Sequence, residues 1–157
     1  KGSHHVLRVI RELLYCEPIG VGTNITKALE HLNKVLRRRA VVFLVSDFQD
    51  AGYDRALRIT KKKHDLIPIV IGDRREFELP DVGLLELLDA ETHQQVLVDT
   101  SDKYNRNHYA EQTRRAVDER DRLFHKLDIE AISLNTGEEY IEPLQNYFRK
   151  RELRQCR

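Results

Sequence analysis

Apolar residues recur at Val6, Val9, Ile10, Leu13 and Leu14, a spacing of three and four that lays a single stripe along a helix, and Pro18 ends the pattern. A second stripe, Ile25, Ala28, Leu29, Leu32, Val35 and Leu36, predicts a helix from about Asn24. Its C-terminus carries Arg37, Arg38 and Arg39, which suit the negative end of the helix dipole. Ala40-Val-Val-Phe-Leu-Val-Ser46 is too short for a helix and rich in β-branched residues, so it reads as a strand buried on both faces, as in a parallel sheet.

The alternation repeats. A charged helix from about Asp54 to Lys63 leads into the apolar strand Leu66–Ile71, where Pro68 cannot donate a ladder hydrogen bond and predicts full pairing on only one side. Leu84–Leu87 and Val96–Val98, separated by polar Glu91–Gln95, predict an inserted β-hairpin. Asp102–Leu127 reads as a long helix with Tyr109, Thr113, Ala116, Leu123, Phe124 and Leu127 on its buried side and Ser101 or Asp102 as cap. Ile129–Leu134 is the third strand. Tyr140, Ile141, Leu144, Tyr147 and Phe148 mark a last helix, with Pro143 in its first turn.

This order predicts a single α/β domain over residues 1–157, a three-layer, mostly parallel sheet with an added hairpin. It supplies only three parallel strands, and the first has no neighbour for its second edge. With no Met anywhere in the 157 residues, the expectation is an N-terminally truncated domain whose front strands precede this sequence. An open edge of this kind is expected to be covered by a second copy, giving a homo-oligomer, most simply a homodimer.

Composition narrows the partners. Lys and Arg total 27 against 26 Asp and Glu, so the net charge of +1 provides no field for nucleic acid, and the basic clusters at Arg37–Arg39, Lys61–Lys63 and Arg149–Arg151 all fall at predicted helix C-termini. The longest apolar run, Ala40–Val45, is far short of a membrane span, and no signal peptide is visible. Two cysteines, Cys16 and Cys156, make no zinc spacing, which predicts a reduced, cytoplasmic protein with Cys16 near the core.

Ligands of open α/β sheets bind at the carboxyl ends of the strands. Asp47 follows the first apolar strand directly, where it either caps the next turn or meets a cation. Gly20-Val-Gly22-Thr23-Asn24-Ile25 opens the second helix, and Thr23 can cap that helix or offer its hydroxyl to a metal. The glycine loop follows no strand and lacks the ending of a phosphate-binding loop. Asp50 and Asp73 read as solvated loop carboxylates, and Asp99-Thr-Ser-Asp102 as a helix cap. His64 and His125 sit at predicted helix ends, where a partly protonated ring favours the dipole. No histidine pair has metal spacing, and no Gly-x-Ser-x-Gly elbow is present.

Taken together, a Gly-Thr-Asn loop entering a helix and an apolar strand ending in Asp47 resemble two parts of the metal-ion-dependent adhesion site of von Willebrand factor A domains. The stretches His5–Leu14, Val42–Phe48, Glu78–Leu84, Val96–Asp102 and Tyr140–Leu144 resemble the C-terminal half of the bacterial domain of unknown function family fifty-eight. That resemblance implies a von Willebrand A type fold, with Thr23 and Asp47 as metal ligands and Mg²⁺ in the intact protein. A first loop, Asp-x-Ser-x-Ser, would supply further ligands from upstream, so this chain alone is expected to hold Mg²⁺ weakly or not at all. It also implies a non-enzymatic protein-interaction module working with a MoxR-type AAA+ ATPase in protein remodelling or complex assembly. The competing class is a metal-dependent phosphatase or receiver-like enzyme using Asp47.

Overall fold

The computed structural model of the chain describes residues 2–16, 22–88 and 95–155. Pro18, Gly20, the hairpin loop at residues 91–94 and Cys156 lie outside the described residues. The elements follow the order read from the sequence: α1 (Ser3–Tyr15), α2 (Ile25–Val35), β1 (Val41–Ser46), α3 (Asp54–Lys63), β2 (Asp65–Gly72), β3 (Leu84–Leu88), β4 (Gln95–Asp99), α4 (Lys103–Lys126), β5 (Ile132–Asn135) and α5 (Ile141–Gln155). Strands β1, β2 and β5 form a parallel sheet in the order β1-β2-β5, and β3 and β4 form a separate antiparallel pair.

Strand β2 is central because its alternating side chains feed two cores. Leu66 and Val70 join Ile25 and Leu29 of α2, Ala56 and Leu57 of α3, Val42 of β1 and Phe124 of α4 on one face. Ile67 and Ile69 join Ile132, Leu134, Leu144 and Tyr147, beneath α5, on the other. This two-sided burial is the physical content of the three-layer expectation. Pro68 pairs with Leu44 of β1, while pairing with β5 starts only at Ile69, so the missing N–H faces no partner strand.

Strand β1 departs from the expectation of burial on both faces. Val42 is buried, but Val41, Phe43 and Val45 are 56%, 50% and 59% exposed. The α5 layer lies over β2 and β5, and Phe148 reaches β1, its ring edge-on to Phe43 at 6.3 Å. Among the described strands β1 is an edge.

Four further expectations need correcting. Helix α1 buries none of its residues and Cys16 is exposed, so neither joins the core. Helix α2 ends at Val35, which leaves Arg37–Arg39 in the connection to β1 rather than in a last helical turn. Helix α5 runs on to Gln155, placing Arg149–Arg151 mid-helix, where Arg151 pairs with Asp65 at the start of β2 and donates to the Tyr147 hydroxyl at 3.2 Å. On α4 Phe124 is buried; Tyr109, Thr113, Leu123 and Leu127 are half-buried, and Ala116 is exposed.

Helix ends follow the side-chain logic of capping. Asp102 accepts from Tyr104 N–H at 2.8 Å and starts α4, and Asn24 accepts from Lys27 N–H at 2.7 Å and starts α2. His64 does not sit at a wet helix end. It closes α3 at 3% exposure, and neither ring nitrogen has a hydrogen-bond partner among the described residues.

Candidate functional site

The carboxyl ends of β1 and β2 open into a cleft of about 780 Å³. Its lining comes from the loop Asp47–Asp54, from Ile71 and Gly72 at the end of β2, from Glu76 and Phe77 beyond it, and from α4. This is the place where open parallel sheets bind ligands, because the connections diverge there and leave space above the strand ends.

Asp47 lies on the rim of this cleft and is exposed, not desolvated by the strand it follows. Its Oδ1 accepts from Gln49 N–H at 3.1 Å and from the Ser46 hydroxyl at 3.3 Å, so the residue does cap the turn after β1. Its other oxygen makes no hydrogen bond with the described residues and stays open to a ligand.

The turn is fixed by Phe48, which takes a left-handed backbone conformation at φ 62. For a residue with a Cβ that conformation costs about 1–2 kcal/mol. It is held because the ring is buried, edge-on to Phe124 at 5.2 Å and to Tyr53 at 5.9 Å. The benzyl group drives inward, and Asp47 is turned out toward the cleft.

Asp50 ties this loop to the other half of the predicted site. Its Oδ2 accepts from Ile25 N–H, the first amide of α2, at 2.8 Å, while Oδ1 accepts from Ala51 N–H at 2.7 Å. The Thr26 hydroxyl adds a bond to Gly52 O at 3.4 Å, and Gly52, at φ 79, supplies the left-handed turn that presents that carbonyl. The helix entrance carrying Thr23 is therefore docked on the loop carrying Asp47, although Thr23 itself does not line the cleft.

The neighbouring strand ends are organised similarly but separately. Asp73 accepts from Arg75 N–H at 2.8 Å and from the Thr136 hydroxyl, joining the end of β2 to the loop after β5. The Thr136 hydroxyl, followed by the Arg75 amide, holds the Asp73 carboxyl below the usual carboxylate range. Asp99 is likewise lowered by Ser101, whose hydroxyl and amide both donate to it, as a helix-entry cap requires. Burial pushes the Tyr53 phenol above its ordinary value, Arg120 opposes this, and Asp54 and Asp50 reinforce it.

Three residues that organise the site were not picked out from the sequence. Asp50 reads as one more loop carboxylate until its partner 25 residues away is known. Phe48 carries no local sign of its left-handed backbone, and Tyr53 no sign that it faces a cleft.

Among the described residues no group of three or more His, Cys, Asp or Glu is placed to hold a metal ion, and no helix is long and apolar enough to cross a membrane. Comparison with known proteins gives relatives rather than a function. The chain is 36% identical over 91 residues to "Uncharacterized protein Rv1480" of Mycobacterium tuberculosis, covering 57% of this chain and 28% of that protein. It is 36% identical over 76 residues to "Uncharacterized protein MAV169" of Mycobacterium avium, covering 48% of this chain and 45% of that protein. The chain thus spans less than half the length of these curated relatives. No solved structure matches it. The sequence model of the family described as "Protein of unknown function DUF58" matches residues 1–119, most of the chain, and the chain belongs to that family.

Proposed function

We propose that this chain is a non-enzymatic protein-interaction module of von Willebrand A type, in which Thr23 and Asp47 form part of a metal-ion-dependent adhesion site. It would act in the cytoplasm with a MoxR-type AAA+ ATPase, in protein remodelling or complex assembly. The observation that carries this reading is the bond from Ile25 N–H to Asp50, which docks the Thr23 segment on the Asp47 loop at the strand ends.

The donor set fits part of a Mg²⁺ site. Mg²⁺ demands near-octahedral oxygen coordination and commonly takes one or two carboxylates with several waters. The open oxygen of Asp47 and the hydroxyl of Thr23 are suitable hard donors, but two protein ligands leave most of the shell to water or to other segments. When bound, the ion would offer an exchangeable position to a partner's carboxylate. The residues of this chain orient its two donors, through the Phe48 anchor and the Asp50 tie.

The partner reading is tested by binding the chain to a purified MoxR-type ATPase from the same genome, with Mg²⁺ and with chelator. Association that needs Mg²⁺ and is lost in Asp47→Ala supports it; association indifferent to both removes the site from the account. A second reading, a metal-dependent phosphatase or receiver-like enzyme using Asp47, is favoured by the volume of the cleft beside that carboxylate.

A further inference from the structure

The same cleft is lined by Tyr53, Asp54, Phe77, Tyr109 and Glu119, none of which the Thr23–Asp47 reading uses. Tyr53 is only 5% exposed, yet its hydroxyl has no hydrogen-bond partner among the described residues. Partnerless side-chain atoms that are fully enclosed are confined, among those residues, to Asn33 and His64, so the Tyr53 oxygen keeps some exposure, and Tyr53 lines the cleft. A buried tyrosine normally satisfies its hydroxyl within the protein. One left unmatched beside a cavity is a place for a ligand atom.

Carboxylates outnumber basic groups around it, although the Arg120 guanidinium also acts on the Tyr53 phenol. Asp47, Asp50, Asp54, Glu76 and Glu119 line the cleft, and the sole basic residue there, Arg120, is committed to Asp121 through Nε at 2.9 Å and Nη2 at 2.8 Å. Asp54 and Glu119 make no hydrogen bond or ion pair with the described residues, so both keep their full acceptor capacity. Aromatic rings beside free carboxylates recognise organic cations, whose charge sits over a π-face while their N–H groups reach the oxygens. A guanidinium suits this lining better than an ammonium, because its planar fork offers five donors to several acceptors at once.

We propose that the cleft binds an arginine side chain presented by a protein partner, its guanidinium held by the Tyr53 hydroxyl, Asp54 and Glu119 against the aromatic wall. The cleft exceeds the volume of one side chain, which leaves room for the flanking peptide. The residues that would hold the guanidinium include neither Thr23 nor Asp47, although Asp47 lines the same cleft.

The test is a nuclear magnetic resonance titration of the whole chain with acetyl-Gly-Arg-Gly-amide, and with the same peptide carrying neutral citrulline. Saturable shifts at the amides of residues 53, 54, 77, 109 and 119, with citrulline weaker by roughly tenfold as expected for loss of a charge-assisted contact, support the proposal. Asp54→Asn with Glu119→Gln changes two exposed positions and should abolish binding while leaving the rest of the spectrum intact. Tyr53→Phe should weaken it without abolishing it. Equal binding of the citrulline peptide, or shifts confined to other residues, overturns the proposal. Displacement of the peptide by Mg²⁺ acting at residues 53 and 119 would identify a divalent-cation site instead and equally overturns it. Free arginine binding as tightly as the peptide overturns the assignment to a protein partner.

Discussion

The Asp50 carboxylate accepts a hydrogen bond from the Ile25 amide at 2.8 Å, across 25 residues of chain. Two consequences follow from this one contact. It satisfies an orphan amide at the entrance of α2 while placing a negative charge at the positive end of the helix. It also sets the Thr23 segment against the loop that carries Asp47, so the candidate site depends on a residue that would not itself touch the ligand.

Removing that carboxylate should loosen both. Asp50→Ala is expected to cost about 0.5–2 kcal/mol, the range for loss of a capping acceptor, and Asp50→Asn less, because the amide oxygen can still accept. Urea unfolding of the two variants measures this. Equal stabilities for Asp50→Ala and the parent chain would show that the contact contributes nothing to the entrance of α2.

Much of the architecture was legible because each element announces itself over several residues. The stripe Ile25, Leu29, Leu32 gives α2, and the run Leu66–Ile71, read with Pro68, gives a strand paired fully on one side. The errors arose where burial depends on what covers an element. Strand β1 is as apolar as β2, yet only β2 lies between two helical layers. Helix α1 shows a clean stripe and buries nothing, since periodicity tells which face is apolar and not whether anything meets it. The candidate site was half legible. Asp47 stands out by following a strand, whereas Asp50, Phe48 and Tyr53 gain their roles from contacts far apart in sequence.

Asp73 gives a prediction about pH. Folding lowers its pKa through the Thr136 hydroxyl and the Arg75 amide, so these bonds add stability above the unfolded carboxylate value of about 3.9. That stability is lost as pH falls through the lower folded value. Thr136→Val should move the Asp73 midpoint up toward the ordinary carboxylate range in a carbon-detected magnetic resonance titration. An unchanged midpoint would show that the hydroxyl does not hold the charge.

Strand β1 presents one unpaired edge beside the exposed side chains of Val41, Phe43 and Val45. Such edges recruit further strands, so light scattering should show the mass of this chain rising toward a dimer with concentration. Phe43→Lys, which puts a charge on the exposed face, should suppress the rise. A monodisperse monomer over the whole range would mean that the edge is protected by some other contact.

The enzyme reading makes its own forecast. If Asp47 only holds a cation, purified chain with Mg²⁺ should hydrolyse p-nitrophenyl phosphate no faster than blank. Turnover that Asp47→Asn abolishes would favour a phosphatase and displace the interaction module.

Calorimetric titration of the chain and of Asp47→Ala with Mg²⁺ tests the central claim most directly. Two oxygen ligands predict weak binding to the parent chain, on the order of millimolar, and none to Asp47→Ala. Micromolar affinity that survives Asp47→Ala would contradict the account, because the ion would then be held by residues other than those placed at the end of β1.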